Sequence, residues 1–300
     1  MRIVVALGGN ALLRRGERPD ATIQLEHVRA AADALAALAK DHELLICHGN
    51  GPQVGLLALE SEADRSLTRA YPLDALVAQT QGMIGYWLGQ SLRNARVAAP
   101  VISVVTQVLV SADDPAFAAP TKFVGAGYDH ATATELARTH GWSIAADGSS
   151  TRRVVPSPEP HGVVEIDTIL TLLRAGTLVI CGGGGGAPVV SENGRLRGVE
   201  AVVDKDLTAS WLAVAASADR LLVLTDVAAV QRDYGTPEAT PLAHTTLSEL
   251  AGMRFPAGSM GPKIEACRRF VEATGGVAGV GALADAAAIV AEIAGTTIRR

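Results

Sequence analysis

Only four lysines stand among the 26 basic residues, and three of them occupy unusual settings. Lys122 lies in "APTKFVG", Lys205 in "VVDKDLTAS" between two carboxylates, and Lys263 in "GSMGPKIEACRRF" at a Gly- and Pro-rich helix start. Lys40 ends a helical run beside "DHE" and reads as a surface charge. A compact ammonium on a long stem is a good point charge for phosphate oxygens. Taken singly, each lysine is more simply a solvated side chain. Three in loops or helix starts, in a chain that otherwise prefers Arg, suggest an anion site. Asp206 could hold Lys205 in place, while Asp204 and Asp206 would both favour a helix N-terminus.

The glycines point to the same chemistry. Three Gly-rich breaks follow apolar runs: "LGGN" (Leu7–Asn10), "HGNGP" (His48–Pro52) and "GGGGGAP" (Gly182–Pro188). Each glycine costs roughly 0.5–1 kcal/mol relative to Ala inside regular structure. A single such loop is explained by a sharp strand-to-helix turn. Three of them, two containing Asn, suit a ligand lying against backbone N–H groups at helix N-termini. The five consecutive glycines leave three readings open: a tight turn, a flexible hinge, or a surface where a ligand lies against main-chain N–H groups. No GxxxxGK[ST] motif occurs, which excludes a P-loop. Gly182, Gly184 and Ala187 formally fit GxGxxA, with Asp204 downstream, but that dinucleotide fingerprint needs a helix directly after the glycines. Here two short extended runs flank Asn193-Gly194, a hairpin signal instead. His48, at a strand end, is a possible base or a packed residue, and Arg152-Arg153 either guard an anion site or are exposed.

The elements that must position these residues alternate. Strands are expected at Arg2–Leu7, Glu43–Cys47, Val101–Val110, Thr177–Cys181, Arg220–Thr225 and Gly276–Gly281. Helical patterns cover 22–40, 72–94 with a break near Gly82, 165–174, 205–216, 259–273 and 285–294. Such alternation implies a mainly parallel sheet covered on both faces, and the strands lack polar alternation as doubly covered strands do. The irregular stretch from about 113 to 160 reads as a small lid. A chain of 300 residues buries about three quarters of its unfolded surface and needs no disulfide to fold. Its net charge of −5 argues against a nucleic-acid partner. Cys47, Cys181 and Cys267 are scattered, which suits a reducing cytoplasm. No apolar run approaches the ~18 residues of a membrane span.

Eight blocks, in order, carry a family resemblance: "VVALGGNALL", "HGNGPQVG", "LDALVAQTQGMIGYWL", "DPAFAAPTK", "RRVVPSPEP", "GVEAVVDKD", "LTDVAAV" and "GSMGPK". Together they resemble the carbamate kinases, a branch of the amino-acid kinase family, over nearly the whole chain. The resemblance implies a three-layer αβα sandwich, a single domain over 1–300, usually a homodimer. Within it, 1–200 would bind carbamate, with a lid at about 113–160, and 201–300 would hold the nucleotide. It implies phosphoryl transfer between ATP and carbamate, giving ADP and carbamoyl phosphate, with Mg²⁺ held chiefly by phosphates and water and no dedicated metal ligands. By match, Gly8, Gly9, Asn10, Gly49, Asn50 and Gly51 would surround the transferring phosphate and carbamate. Lys205 and Lys263 would contact phosphate oxygens, Asp206 would organise them, and Lys122 would reach in from the lid. Gly183, Gly184, Thr225, Asp226, Val230 and Met260 would border the nucleotide. Two runs depart from the family pattern, both in the lid: "AADGSSTRRVV" where "GRGW" often precedes "RRVVPSP", and "FVGAGYD" where "GPFY" commonly follows "PTK". Another small carboxylate or a phosphonate as acceptor, or a non-catalytic nucleotide sensor, are the competing functions.

Overall fold

The structure is a computed structural model that describes residues 1–14, 16–256 and 258–300, without the side chain of Asn10. The chain runs β1 (Arg2–Leu7), α1 (Ala21–Leu38), β2 (Glu43–His48), α2 (Gly51–Ala63), α3 (Leu73–Asn94), β3 (Val101–Ser103), β4 (Gln107–Leu109), β5 (Lys122–Tyr128), α4 (His130–His140), β6 (Ser143–Asp147) and β7 (Ser150–Val155). Next come β8 (Gly162–Val163), α5 (Ile166–Arg174), β9 (Leu178–Ile180), β10 (Ala187–Glu192), β11 (Arg195–Gly198), α6 (Lys205–Ala215) and β12 (Arg220–Thr225). The last part holds β13 (Gln231–Arg232), β14 (Thr240–Pro241), β15 (His244–Thr246), α7 (Leu247–Ala251), α8 (Met260–Thr274), β16 (Val277–Ala282), α9 (Ala286–Val290) and β17 (Thr296–Arg299).

Eight strands form one sheet in the order β15-β17-β16-β12-β1-β2-β9-β3. All its pairings are parallel except β16 with β17. Successive side chains of β1 serve opposite cores, because a strand alternates its faces. Val4 and Ala6 pack with α5, α6 and α8, where Ile169, Leu212 and Phe270 are buried. Ile3, Val5 and Leu7 pack with α1, α3 and α9, where Leu35, Leu88 and Ile289 are buried. These two apolar layers make the αβα sandwich expected from the unbroken apolar strands. Among the described residues, no helix is long and apolar enough to cross a membrane.

The lid is a three-stranded antiparallel sheet, β5-β7-β6, carrying α4. These elements span 122–155. The Asp114 carboxylate ties the two flanks of the stretch 113–160 together, accepting the N–H of Ala116 at 2.8 Å and of Glu159 at 2.9 Å. A separate small core, with Val54, Ala58, Val77, Val124, Val155 and Val202, joins the lid to α2 and α3. At the crossing of α2 and β5, Gly55 lies so close to Gly125 that a Cβ on Gly55 would overlap the Gly125 backbone.

Four expectations need correction. The α3 helix is continuous through Gly82. Val101–Val110 is two strands in different sheets, β3 and β4. Between them the Gln81 side chain accepts the Thr106 N–H at 2.9 Å and donates to the Thr106 carbonyl at 3.1 Å, bracing the chain where it passes from one sheet to the other. Helix α9 spans only Ala286–Val290, and the chain then returns through Gly295 (φ +69°) as the antiparallel strand β17. The "HGNGP" loop opens directly into α2, a helix hidden in the sequence by its Gly-Pro start. The expected hairpin is present: β10 and β11 pair antiparallel around Asn193 (φ 51°) and Gly194 (φ 76°).

Candidate active site

Parallel α/β sheets bind ligands beyond the carboxyl ends of their strands. Here β1, β2 and β12 end side by side on Gly8, Gly49 and Thr225, at the floor of a cleft of about 320 Å³. Three helix starts reach the same cleft: Gly51 and Pro52 of α2, Lys205 and Asp206 of α6, and Ser259 and Lys263 of α8. Unpaired N–H groups and the partial positive charge of each helix start make such a place suited to anions.

The floor is built by backbone packed on backbone. The Gly8 N–H donates to the Leu224 carbonyl at 2.8 Å, and the Gly49 N–H to the Leu7 carbonyl at 2.9 Å. A Cβ on Gly49 would stand 2.8 Å from the Gly9 nitrogen, too close to be tolerated. Asn50 precedes α2 but makes no side-chain cap bond; its amide donates instead to Thr80 Oγ1 at 2.8 Å. Gly9, Asn50 and Gly51 line the cleft, while the Asn10 side chain lies outside the described residues.

The pentaglycine run meets the cleft only in part. All five glycines are buried, and of them only Gly184 lines the cleft. Gly184 has φ +64°, and a Cβ there would overlap the Asn50 amide. Gly183 is covered by His48, whose imidazole fills the space a Cβ would need. The run is therefore chiefly a packing device that lets β2 and the loop after β9 meet. His48 is no base at the cleft. It is buried below the floor, where burial pulls its pKa down to about 4 and keeps the ring neutral; Nδ1 lies 3.0 Å from the Gly49 carbonyl.

Two carboxylates organise three ammonium groups. Asp206, in the first turn of α6 and 3% exposed, binds Lys205 through Oδ1 and Lys263 through Oδ2, the latter at 3.0 Å. Burial works against the charge of Lys205 and, with Lys263 nearby, lowers its pKa despite Asp206. Burial also opposes the charge of Lys263, but Asp206, Asp204 and Asp226 outweigh it and raise its pKa. Asp204 caps α6 by accepting the Asp206 N–H on Oδ1 at 2.9 Å. Its Oδ2 accepts from Lys122, the first residue of lid strand β5, at 2.7 Å. Burial opposes the Asp204 charge, yet the ammonium groups of Lys122 and Lys205 hold its carboxyl well below the usual range.

Lys122, Lys205, Asp206, Lys263, Thr225 and Asp226 thus line one cleft. Thr225 donates to Asp226 Oδ1 at 3.0 Å. Val230 and Met260 do not line it. Val230 is fully buried and donates its N–H to Thr296 Oγ1 at 2.8 Å, and Met260 packs against the core under α8. Neither lid arginine guards the cleft: Arg152 binds Asp147 at 2.9 Å, and Arg153 binds Glu62 at 3.0 Å while covering the Trp142 ring. Asp204 is the cleft residue whose second partner sequence reasoning missed.

The profile of the amino acid kinase family matches residues 1–278. A carbamate kinase of Rhizobium meliloti is 49% identical, covering 99% of this chain and 93% of its own. One from Thermococcus kodakarensis is 47% identical over 90% of each chain. Among solved structures, carbamate kinase from Giardia lamblia bound to AMP-PNP superposes with a TM-score of 0.90 at 38% identity, covering 99% of this chain and 98% of that one. An isopentenyl phosphate kinase of T. acidophilum, at 14% identity and a TM-score of 0.59, shares the fold alone. The chain belongs to the amino acid kinase family and, within it, to the carbamate kinases.

Proposed function

We propose that this chain makes ATP from carbamoyl phosphate and ADP, running the reversible ATP–carbamate phosphoryl transfer in that direction, with the three cleft lysines as its charge-neutralising groups. The observation that carries this reading is the convergence of Lys122, Lys205 and Lys263 on two carboxylates at the ends of β1, β2 and β12. Phosphoryl transfer asks little covalent chemistry of a protein; positioning and electrostatic stabilisation do most of it. Preorganised donors aimed at oxygens whose charge is redistributed in the transition state are the right parts. Lys205 and Lys263, both fixed by Asp206, neutralise phosphate oxygens. Lys122 brings a third positive charge from the lid side. The N–H groups at Gly9 and the start of α2 face the acceptor, with Gly8 forming the floor through its bond to Leu224 and Asn50 held in place by Thr80. Carbamate is already an anion, so its oxygen needs no base, consistent with a neutral, buried His48.

In this reading residues 1–200 hold carbamate, and 201–300 hold the nucleotide beside Thr225 and Asp226. Mg²⁺ fits as a companion of the nucleotide rather than a resident ion. Asp204 and Asp206 are already engaged by ammonium groups, and among the described residues no group of three or more His, Cys, Asp or Glu could hold a metal. Held by phosphates and water, the ion would screen phosphate charge. The family resemblance adds a homodimeric assembly and a cytoplasmic setting. An acceptor comparison tests the substrate: with ATP and ammonium bicarbonate as the source of carbamate, ADP release should far exceed that with acetate or a small phosphonate. Equal release with acetate would overturn the assignment of carbamate.

A further inference from the structure

The lid meets the body of the molecule at two kinds of place. On its hinge side it is fastened by close packing. Gly55 and Gly125 bring the α2 and β5 backbones together, and Glu62 of α2 accepts from Trp142 Nε1 at 3.1 Å and from Arg153 at 3.0 Å. On its cleft side the polar tie among the described residues is the ion pair of Lys122 with Asp204. The two side chains are 26% and 18% exposed, so a phosphate entering the cleft can reach this ammonium.

Asp204 serves both sides of this junction. Its Oδ1 fixes the first turn of α6, the turn that carries Lys205 and Asp206. Its Oδ2 holds the lid lysine inside the same cleft. We propose that Asp204 is a positioning residue for the phosphoryl transfer: it parks Lys122 in the cleft before substrate arrives and releases it to a phosphate oxygen. This rests on the function proposed above. The physical case is one of preorganisation. An ammonium on a flexible four-carbon stem loses rotamer freedom when it binds, a cost of up to ~2 kcal/mol. A carboxylate that already holds it meets that cost before substrate binds. Because the same oxygen pair is tied to α6, lid and nucleotide half are brought into register by one side chain. Charge exchange is then a local event. Lys122 leaves one anion for another, while Asp204 keeps its helix N–H and neighbouring Lys205 to stabilise its charge.

The test separates this role from helix capping. Asn caps helices about as well as Asp, so Asp204→Asn keeps the bond to the Asp206 N–H and removes the charge that holds Lys122. In the ligand-free protein, hydrogen exchange of amides in β5 and β7 should quicken roughly fivefold, the scale of one lost part-buried ion pair. Turnover of ADP and carbamoyl phosphate should fall roughly tenfold, about one ion-pair contact in the transition state. In a Lys122→Ala background the same substitution should change kcat less than twofold, because residues acting through one another are not additive. Asp204→Ala, which loses the cap as well, should show the lower thermal midpoint of the two. Equal loss of kcat in both backgrounds would show that Asp204 acts independently of Lys122 and overturn the proposal. So would an Asp204→Asn enzyme as fast as wild type, or unchanged exchange in β5 and β7. Should the wild type itself transfer no phosphoryl group, the functional reading falls, while the exchange measurement still decides whether Asp204 holds the lid.

Discussion

The Lys205–Asp206–Lys263 cluster and the Lys122–Asp204 pair use the same two functional groups in opposite mechanical settings. The first is carried by two helices packed on the central sheet, and its carboxylate is 3% exposed. The second joins a small lid sheet to the body through side chains that are 26% and 18% exposed. A buried, shared carboxylate holds its lysines at fixed positions, so it can supply a preorganised charge at low dielectric. The lid pair offers a charge that can change partner. On the proposed function, phosphoryl transfer would use both: fixed charges for the nucleotide phosphates and an exchangeable one for the group in transit.

Breaking the rigid side should have the largest effect. Lys205→Ala is expected to lower kcat by roughly 10²–10³, by analogy with the loss of one oxyanion-hole donor. The variant should stay folded, since Asp206 keeps Lys263 at 3.0 Å. Steady-state kinetics beside circular dichroism would check this, and a folded variant within a few-fold of wild type would remove Lys205 from its role.

Disturbing the lid side should cost less. Gly55→Ala forces a Cβ into the Gly125 backbone and must push β5, with Lys122 at its start, away from the cleft. The expected loss in kcat is roughly tenfold, the scale of one misplaced charged contact. Gly82→Ala, on the exposed side of α3 where a Cβ meets nothing within 4 Å, is the control away from the cleft. Similar losses in the two variants would mean that lid position does not matter.

A different kind of effect, on stability and not on turnover, lies under the floor. His48 titrates at about 4 in the folded protein, against about 6.5 when unfolded. Between those values the unfolded chain binds more protons, so stability must fall as pH drops from about 6.5 to about 4. The contribution is about 3 kcal/mol over that window. His48→Gln should flatten the pH dependence of the denaturation midpoint there; an unchanged slope would contradict the buried, neutral ring.

The legible parts of the molecule were those whose causes are local. Runs such as "RIVVAL" and "RLLVLT" are apolar on both faces and became the centre of the sheet. The unreadable parts depend on distant partners. Nothing near Val104–Thr106 announces the bend that Gln81 imposes from α3. The glycines of Gly182–Gly186 owe their identity to His48, Asn50, Val203 and Val108, which meet them only after folding. Lys122 and Asp204 are 82 positions apart, so their pairing has no sequence signal. The two lid runs that depart from the family pattern still form an antiparallel sheet, and they leave Lys122 at the cleft.

The measurement closest to the central claim is ATP formation from ADP and carbamoyl phosphate by the purified chain. Enzyme-dependent ATP at turnover rates of roughly 1–10³ s⁻¹, the ordinary enzymatic range, is the result expected of three ammonium groups converging on a transferred phosphoryl group. No ATP above the enzyme-free control, from a folded protein that binds ADP, would contradict it.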